Sequence, residues 1–351
     1  MTIVFADHSG QSGNWWSNVV LAEAVLSAGA RVEMLAPRGF DPIVSGRLSG
    51  CVDTVMVWDR SPRWKMQASY ARNELTVRQR VPADGVLLLS LLQFGIAAHE
   101  RIIQYVHNPS ARPMLGSPRL GRVMQRYTTN RSRSLARHAA DFGSCGRWLR
   151  WPHPVGPASF RPLPLPAGAV PVKTDRRNAL VYGRAASDEN LGLILGWLAD
   201  LTRAECSALH LVVSREGLTA SAQTALAGME TLGTSISLVP RIPSDHLDAV
   251  VACADTVLVP YETHPDSVSG VGLIATAAGT PVVAGSCVNA DLAWPPLVIA
   301  GRGADGLRRV IAGGQLPASA IGQDALAPWG RKWLALLGSR QSQRGVLPLG
   351  S

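Results

Sequence analysis

Short apolar runs recur along the first half of the chain, most of them followed by a stretch whose apolar positions repeat at helical spacing. The runs Thr2–Ala6, Arg31–Ala36, Thr54–Trp58, Val86–Leu91, Ile103–His107 and Asp141–Ser144 read as strands. Trp15–Ala28, Lys65–Val77 and Arg119–His138 read as helices between them. Strands alternating with helices predict βαβ units and a parallel sheet. From 152 to 173 the pattern stops: PHPVGPASFRPLPLPAGAVPVK holds seven prolines, which no regular element tolerates. A second alternating set follows. It comprises strands Ala179–Tyr182, His210–Val213, Ser235–Val239, Thr256–Val259, Pro281–Ala284 and Leu297–Ile299. Its helices are Leu191–Leu201, Thr219–Leu232, Ser244–Ala254, Ala304–Ala312 and a terminal one around Leu326–Leu337. The expectation is an α/β protein of two parts: a first domain over 1–162, a linker over 163–173, a second domain over 174–338 and a loose tail over 339–351.

Length agrees with that division, since 351 residues exceed what one hydrophobic core usually supports. The longest apolar run, GVLLLSLLQFGIAA (85–98), is too short to span a bilayer and is interrupted by Ser90 and Gln93. The start MTIVFADHSG has no basic segment and meets Asp7 at once, so no signal peptide is read and a cytosolic protein is expected. Five widely spaced cysteines without a CxxC pair argue against a disulfide framework and against structural zinc. Cys253 is expected to be a small core residue.

Charge changes the picture more. Residues 1–165 hold 20 Lys+Arg against 10 Asp+Glu, a net of +10; the whole chain nets +9, so the remainder nets −1. Within 101–150 there are ten arginines and one carboxylate, Asp141. On the helix expected there, Arg119, Arg122, Arg126, Arg133 and Arg137 fall within an arc of about 60° at 100° per residue. Such a stripe suits anionic lipid headgroups, each arginine contributing about 1 kcal/mol near the surface; the alternative is a solvated helix face. Nucleic acid is not the expected partner, because the helix lacks a recognised motif and interleaved aromatics.

The stretch RIPSDHLDAVVACADTVLVPYETHPDSVSGVGLIATAAGTPVVAG (241–285) carries the most chemistry. It reads as helix, strand, polar loop, helix and strand. The loop leaves the carboxyl end of a strand and enters a helix whose first turns carry Ser267, Ser269, Gly270 and Gly272. Free N–H groups and the positive end of the helix dipole make such a turn a seat for phosphate. In open α/β sheets ligands bind outside the carboxyl ends of strands.

Four segments in order resemble one family, the nucleotide-sugar glycosyltransferases of the GT-B fold, particularly the retaining group four. SGNWWSNVVLAEAVLSAGARVEMLAP is similar to its first glycine-bearing loop and helix. PHPVGPASFRPLP resembles its exit from the first domain, and NALVYGRAASDENLGLILGWL the opening of its second. The 241–285 stretch looks like its donor-site segment. The resemblance implies two Rossmann-like domains facing across a cleft. The first would bind the acceptor and the second a nucleoside-diphosphate sugar, with no cofactor and no metal.

Aligned on Gly279-Thr280-Pro281, Asp266 stands at the family's first donor-site glutamate and Ile274 at the second, which normally holds the ribose hydroxyls. Ile274 cannot accept a hydrogen bond. Arg184 matches one half of the cation pair facing the diphosphate, while the lysine position falls on Glu189 or Asn190. The resemblance gives Ser267, Ser269, Gly270 and Val271 as donors to phosphate, and Arg241 and Ile242 as contacts to the base. Asp266 either accepts from sugar hydroxyls or caps the following helix. His107, Asp7 and His8 are the candidate catalytic groups of the first domain: one serves as base if the reaction inverts, none is needed if it retains. The function implied is transfer of a sugar to a saccharide acceptor, lipid-linked, in polysaccharide or glycoconjugate assembly, with the protein peripheral on the inner face of the cell membrane. The alternative is an inactive GT-B-like binding or scaffold protein.

Overall fold

The structure is a computed structural model, and it describes residues 2–6, 12–37, 53–58, 75–76, 78–80, 85–89, 102–106, 133–136, 148–150, 153–154, 171–242, 246–262, 269–290, 293–294, 296–313 and 326–342. The chain divides into two compact units, 1–154 with 323–351, and 155–322.

The first unit is built on a seven-stranded sheet in the order β3-β2-β1-β4-β5-β6-β7. Its strands are β1 (Thr2–Ala6), β2 (Arg31–Pro37), β3 (Asp53–Trp58), β4 (Val86–Leu89), β5 (Ile102–Val106), β6 (Arg133–Ala136) and β7 (Trp148–Arg150). Every pairing is parallel, as the alternation of elements predicts. Strand order reverses between β1 and β4. Helix α1 (Ser12–Ser27) follows β1 and buries Val20, Leu21, Ala22, Ala24 and Val25. A short strand β8 (His153–Pro154) closes this stretch of chain.

One sequence expectation fails here. The helix over 119–138 is not continuous, because 133–136 form β6, with Ile103 opposite Arg133 and Val106 opposite Ala136. Arginines spaced by three, four and seven residues satisfy helical periodicity, but periodicity of charged positions carries no burial energy and does not decide the element. Arg133 is therefore not on a helical stripe. Arg119, Arg122, Arg126 and Arg137 lie outside the described residues, as do Asp141–Ser144.

The second unit holds a six-stranded parallel sheet in the order β11-β10-β9-β12-β13-β15. Its elements in chain order are β9 (Arg177–Tyr182), α2 (Asp188–Ala199), α3 (Arg203–Ser207), β10 (Leu209–Ser214), α4 (Ala220–Thr231), β11 (Ser235–Val239), α5 (Leu247–Cys253), β12 (Thr256–Val259), α6 (Gly270–Ala278), β13 (Val282–Ala284), β14 (Ala293–Trp294), β15 (Ile299–Arg302) and α7 (Gly303–Ile311). The central strands β10, β12 and β13 are buried along their whole length, which is why they read as unbroken apolar runs rather than alternation. Val181, Leu211, Val213 and Leu258 meet Leu191, Ile194 and Leu198 in the core.

Helix boundaries carry their own local reasons. Ser187, Thr202, Thr219 and Ser269 each accept a hydrogen bond from a first-turn backbone N–H of α2, α3, α4 and α6 respectively. Cys253 ends α5 and is exposed, not a core residue as expected. Helix α8 (Leu326–Ser342) packs against α1 within the first unit. The sequence reading assigned that helix to the second domain, because proximity along the chain was its only guide. Among the described residues no helix is long and apolar enough to cross a membrane.

Candidate functional site

In the second sheet, the order of strands reverses between β9 and β12, which lie side by side although two strands, β10 and β11, separate them in the chain. The chain leaves each of these two strands at its carboxyl end, so the loops diverge and open a crevice. Arg184 leaves β9, Tyr261 leaves β12, and Ser269 starts the helix after it.

Arg184 sits on a single 3-10 turn, Gly183–Ala186, and its side chain is exposed. The turn is held from behind. The Asn190 amide donates to Arg184 O at 2.8 Å and to Ser187 Oγ at 3.0 Å. Asn190 is 5% exposed, so one candidate for the missing lysine position is turned inward as a structural group; Glu189 is exposed. Arg215 donates to Ala186 O at 3.0 Å and pairs with Asp188 at 3.0 Å. The hydrogen bond from Thr219, then that from Arg215, hold the Asp188 carboxyl below the usual carboxylate range. Ala185 and Ala186 are buried beneath the turn.

The Arg184 guanidinium lies over the Tyr261 ring, 5.3 Å from its centroid. Burial pushes the Tyr261 pKa up, against the opposing pull of Ser269 and Arg184. Tyr261 is fixed through its backbone as well: its N–H donates to Val259 O at 2.9 Å and its carbonyl accepts from Cys287 N at 3.2 Å. Gly285 crosses so close that a Cβ there would stand 2.5 Å from Tyr261 O and 2.7 Å from Tyr261 N. Only glycine fits.

Ser269 is 3% exposed, and its Oγ accepts from Gly272 N at 3.2 Å. The preceding first-turn amides of α6, those of Gly270 and Val271, have no partner within the helix. The Arg184 guanidinium and the N-terminus of α6 both carry the sign that favours an anion. Asp266 and Ser267 lie outside the described residues, as do Asp7, His8 and His107. Ile274 is buried on α6 at 8% exposure.

Beside the cluster, Glu262 accepts from Ser286 N at 3.1 Å and from the Ser286 hydroxyl. Arg302 fixes the loop after β13 by donating to Ser286 O at 2.8 Å and Val288 O at 2.9 Å. At the far side of the sheet a pocket between the ends of β10 and β11 is lined by Arg215, Gly217, Leu218, Leu238 and Pro240. Arg241 follows this edge and is exposed. Ile242 is buried, its N–H donating to Ser214 Oγ at 3.0 Å and its carbonyl accepting from Tyr182 at 3.3 Å. Its backbone is thus already committed. Among the described residues no group of three or more His, Cys, Asp or Glu side chains is placed to hold a metal ion.

Solved structures share this fold over nearly the whole chain. AviGT4, a glycosyltransferase involved in avilamycin A biosynthesis, matches with a TM-score of 0.56 at 16% identity, over 96% of this chain and 98% of its own. WaaG, a glycosyltransferase involved in lipopolysaccharide biosynthesis, gives 0.54 at 13%, over 95% and 99%. HepE of Anabaena, solved with UDP and glucose, gives 0.54 at 14%, over 99% and 100%. The fold is GT-B. No protein-family model matches the chain, and no curated protein matches its sequence.

Within the GT-B fold, the sequence had named Arg184, Ser269, Gly270 and Val271, and the structure stacks Arg184 on Tyr261. Tyr261 itself was missed. An aromatic residue directly after a buried strand was the one available signal, and such residues are usually core.

Proposed function

We propose that this protein is a glycosyltransferase that moves a sugar from a nucleoside-diphosphate sugar, held by the second unit, to a saccharide acceptor. The observation that carries the reading is Arg184 at the strand-order reversal, stacked on Tyr261 in the chain segment that leads to the Ser269-capped start of α6. As the bond from the anomeric carbon to the diphosphate oxygen breaks, its electron pair passes to that oxygen. Preorganised donors stabilise such developing charge best. Arg184 and the amides of Gly270 and Val271 supply them, with Ser267 and Asp266 completing the donor site and Arg241 beside the base; in this reading no metal ion is required. His107, Asp7 or His8 takes the acceptor proton if configuration inverts.

The acceptor is proposed to be lipid-linked, in polysaccharide or glycoconjugate assembly. Support comes from the net charge of +10 over residues 1–165 and from the likeness to WaaG. The same charge supports a peripheral place on an anionic membrane. A nucleoside diphosphate as partner is supported by the likeness to HepE, solved with UDP.

Isothermal titration with a panel of nucleoside diphosphates and their sugars tests the reading. One of them should bind, and Arg184→Ala should weaken it tenfold to a hundredfold, since a hydrogen bond to a charged group contributes about 1.5–3 kcal/mol. A second reading, a binding or scaffold protein without turnover, is favoured by the buried Ile274 where a carboxylate would hold ribose. Absence of any binding heat would select it.

A further inference from the structure

We infer that Tyr261 is a positioning residue that holds the Arg184 guanidinium ready for an anion, an inference that rests on the proposed nucleoside-diphosphate site. Arg184 is exposed on a short turn, and a free arginine side chain gives up substantial rotamer freedom when a ligand fixes it. The Tyr261 ring meets that cost in advance by giving the planar guanidinium a face to lie on, 5.3 Å away. A guanidinium stacked this way keeps its edge donors free for oxygen atoms.

The ring can do this because the backbone that carries it is itself fixed. Its peptide is tied to Val259 and Cys287. Gly285 leaves no space for the backbone to retreat. The turn beneath Arg184 is equally constrained, by Asn190 and by the Arg215–Asp188 pair. Two rigid supports from opposite sides of the strand reversal thus meet at one cation. Ser269 caps the helix whose first amides are proposed for the same ligand.

A double-mutant cycle on the full chain tests this, read as the dissociation constant of the nucleoside diphosphate that binds tightest. Tyr261→Leu should weaken binding two- to fivefold in the wild-type background and leave it unchanged in Arg184→Ala. Tyr261→Phe, which keeps the ring, should stay within twofold of wild type. Thermal melting establishes that each variant is folded. Equal losses from Tyr261→Leu in both backgrounds would show a merely structural role and overturn the inference, as would a Phe variant that falls as far as Leu. Where wild type binds no nucleoside diphosphate at all, the donor-site reading itself fails, and this inference with it.

Discussion

At the scale of single residues, the site depends on close approaches that tolerate little change. Gly285→Ala would drive a Cβ against the Tyr261 backbone on all of N, C and O. Because backbone and not a flexible side chain must move, we expect a loss of about 2 kcal/mol or more, visible as a lowered melting temperature together with weaker nucleotide binding. Tyr261 offers a second handle. Its pKa lies above the ordinary tyrosine value of 10.0, chiefly through burial. The folded protein therefore keeps this proton where the unfolded chain loses it, so the stability it contributes is complete below pH 10 and declines as pH rises through the folded value. Tyr261→Phe should flatten that alkaline decline in a pH series of melting curves; an unchanged slope would contradict it. Arg184 was legible in the sequence because it follows a strand in a matched segment. Tyr261 was not, because a contact between residues so distant in the chain has no local signature.

At the scale of elements, two docking arrangements give contrasting tests. Helix α8 lies on α1 so tightly that a Cβ on Gly330 would stand 1.9 Å from Ala24 O. Trp333 fills this contact at 0% exposure, and its indole N–H has no hydrogen-bond partner. Trp333→Ala should cost about 3–5 kcal/mol through the cavity, whereas Trp333→Phe removes the unpaired donor and should cost far less. Comparison of the two variants by denaturant titration separates volume from polarity. The start of the second unit is pinned differently. His210 is fully buried, with Nε2 2.8 Å from Pro171 O and Nδ1 3.0 Å from Ser235 Oγ, and Lys173 also reaches that hydroxyl. Burial lowers its pKa below the ordinary 6.5, the nearby Lys173 and Arg176 adding to the effect. A histidine depressed in the fold contributes stability above its unfolded value that is lost as pH falls through the folded one. The second unit should therefore soften on acidification below about pH 6.5, and His210→Gln should reduce that dependence in melting curves.

At the scale of the whole molecule, the uneven charge is the property with a consequence. Residues 1–165 carry a net +10 and the rest −1. If the basic half meets an anionic membrane, flotation with vesicles containing acidic lipid should recover the protein at low salt and release it as salt shortens the Debye length from about 30 Å to 8 Å. Failure to float at low salt would remove the membrane from the proposal. The interruption of the expected helix by β6 narrows the structural basis of that contact, because Arg133 no longer belongs to a single stripe with its neighbours. Charge pattern alone could not reveal this, since a charged position gains nothing from facing inward on either element.

The alternation of strands and helices in the second half was readable from the chain, as were the serine-capped start of α6 and the arginine after β9. Each of these rests on neighbours within a few residues: apolar spacing, a serine cap, a glycine-rich helix start. Three matters waited for the folded chain. The last helix returns to the first unit, Asn190 turns inward instead of replacing a lysine, and Tyr261 lies under the Arg184 guanidinium. All three are contacts between separate elements, and such contacts are selected by how surfaces pack in space, which local spacing does not encode.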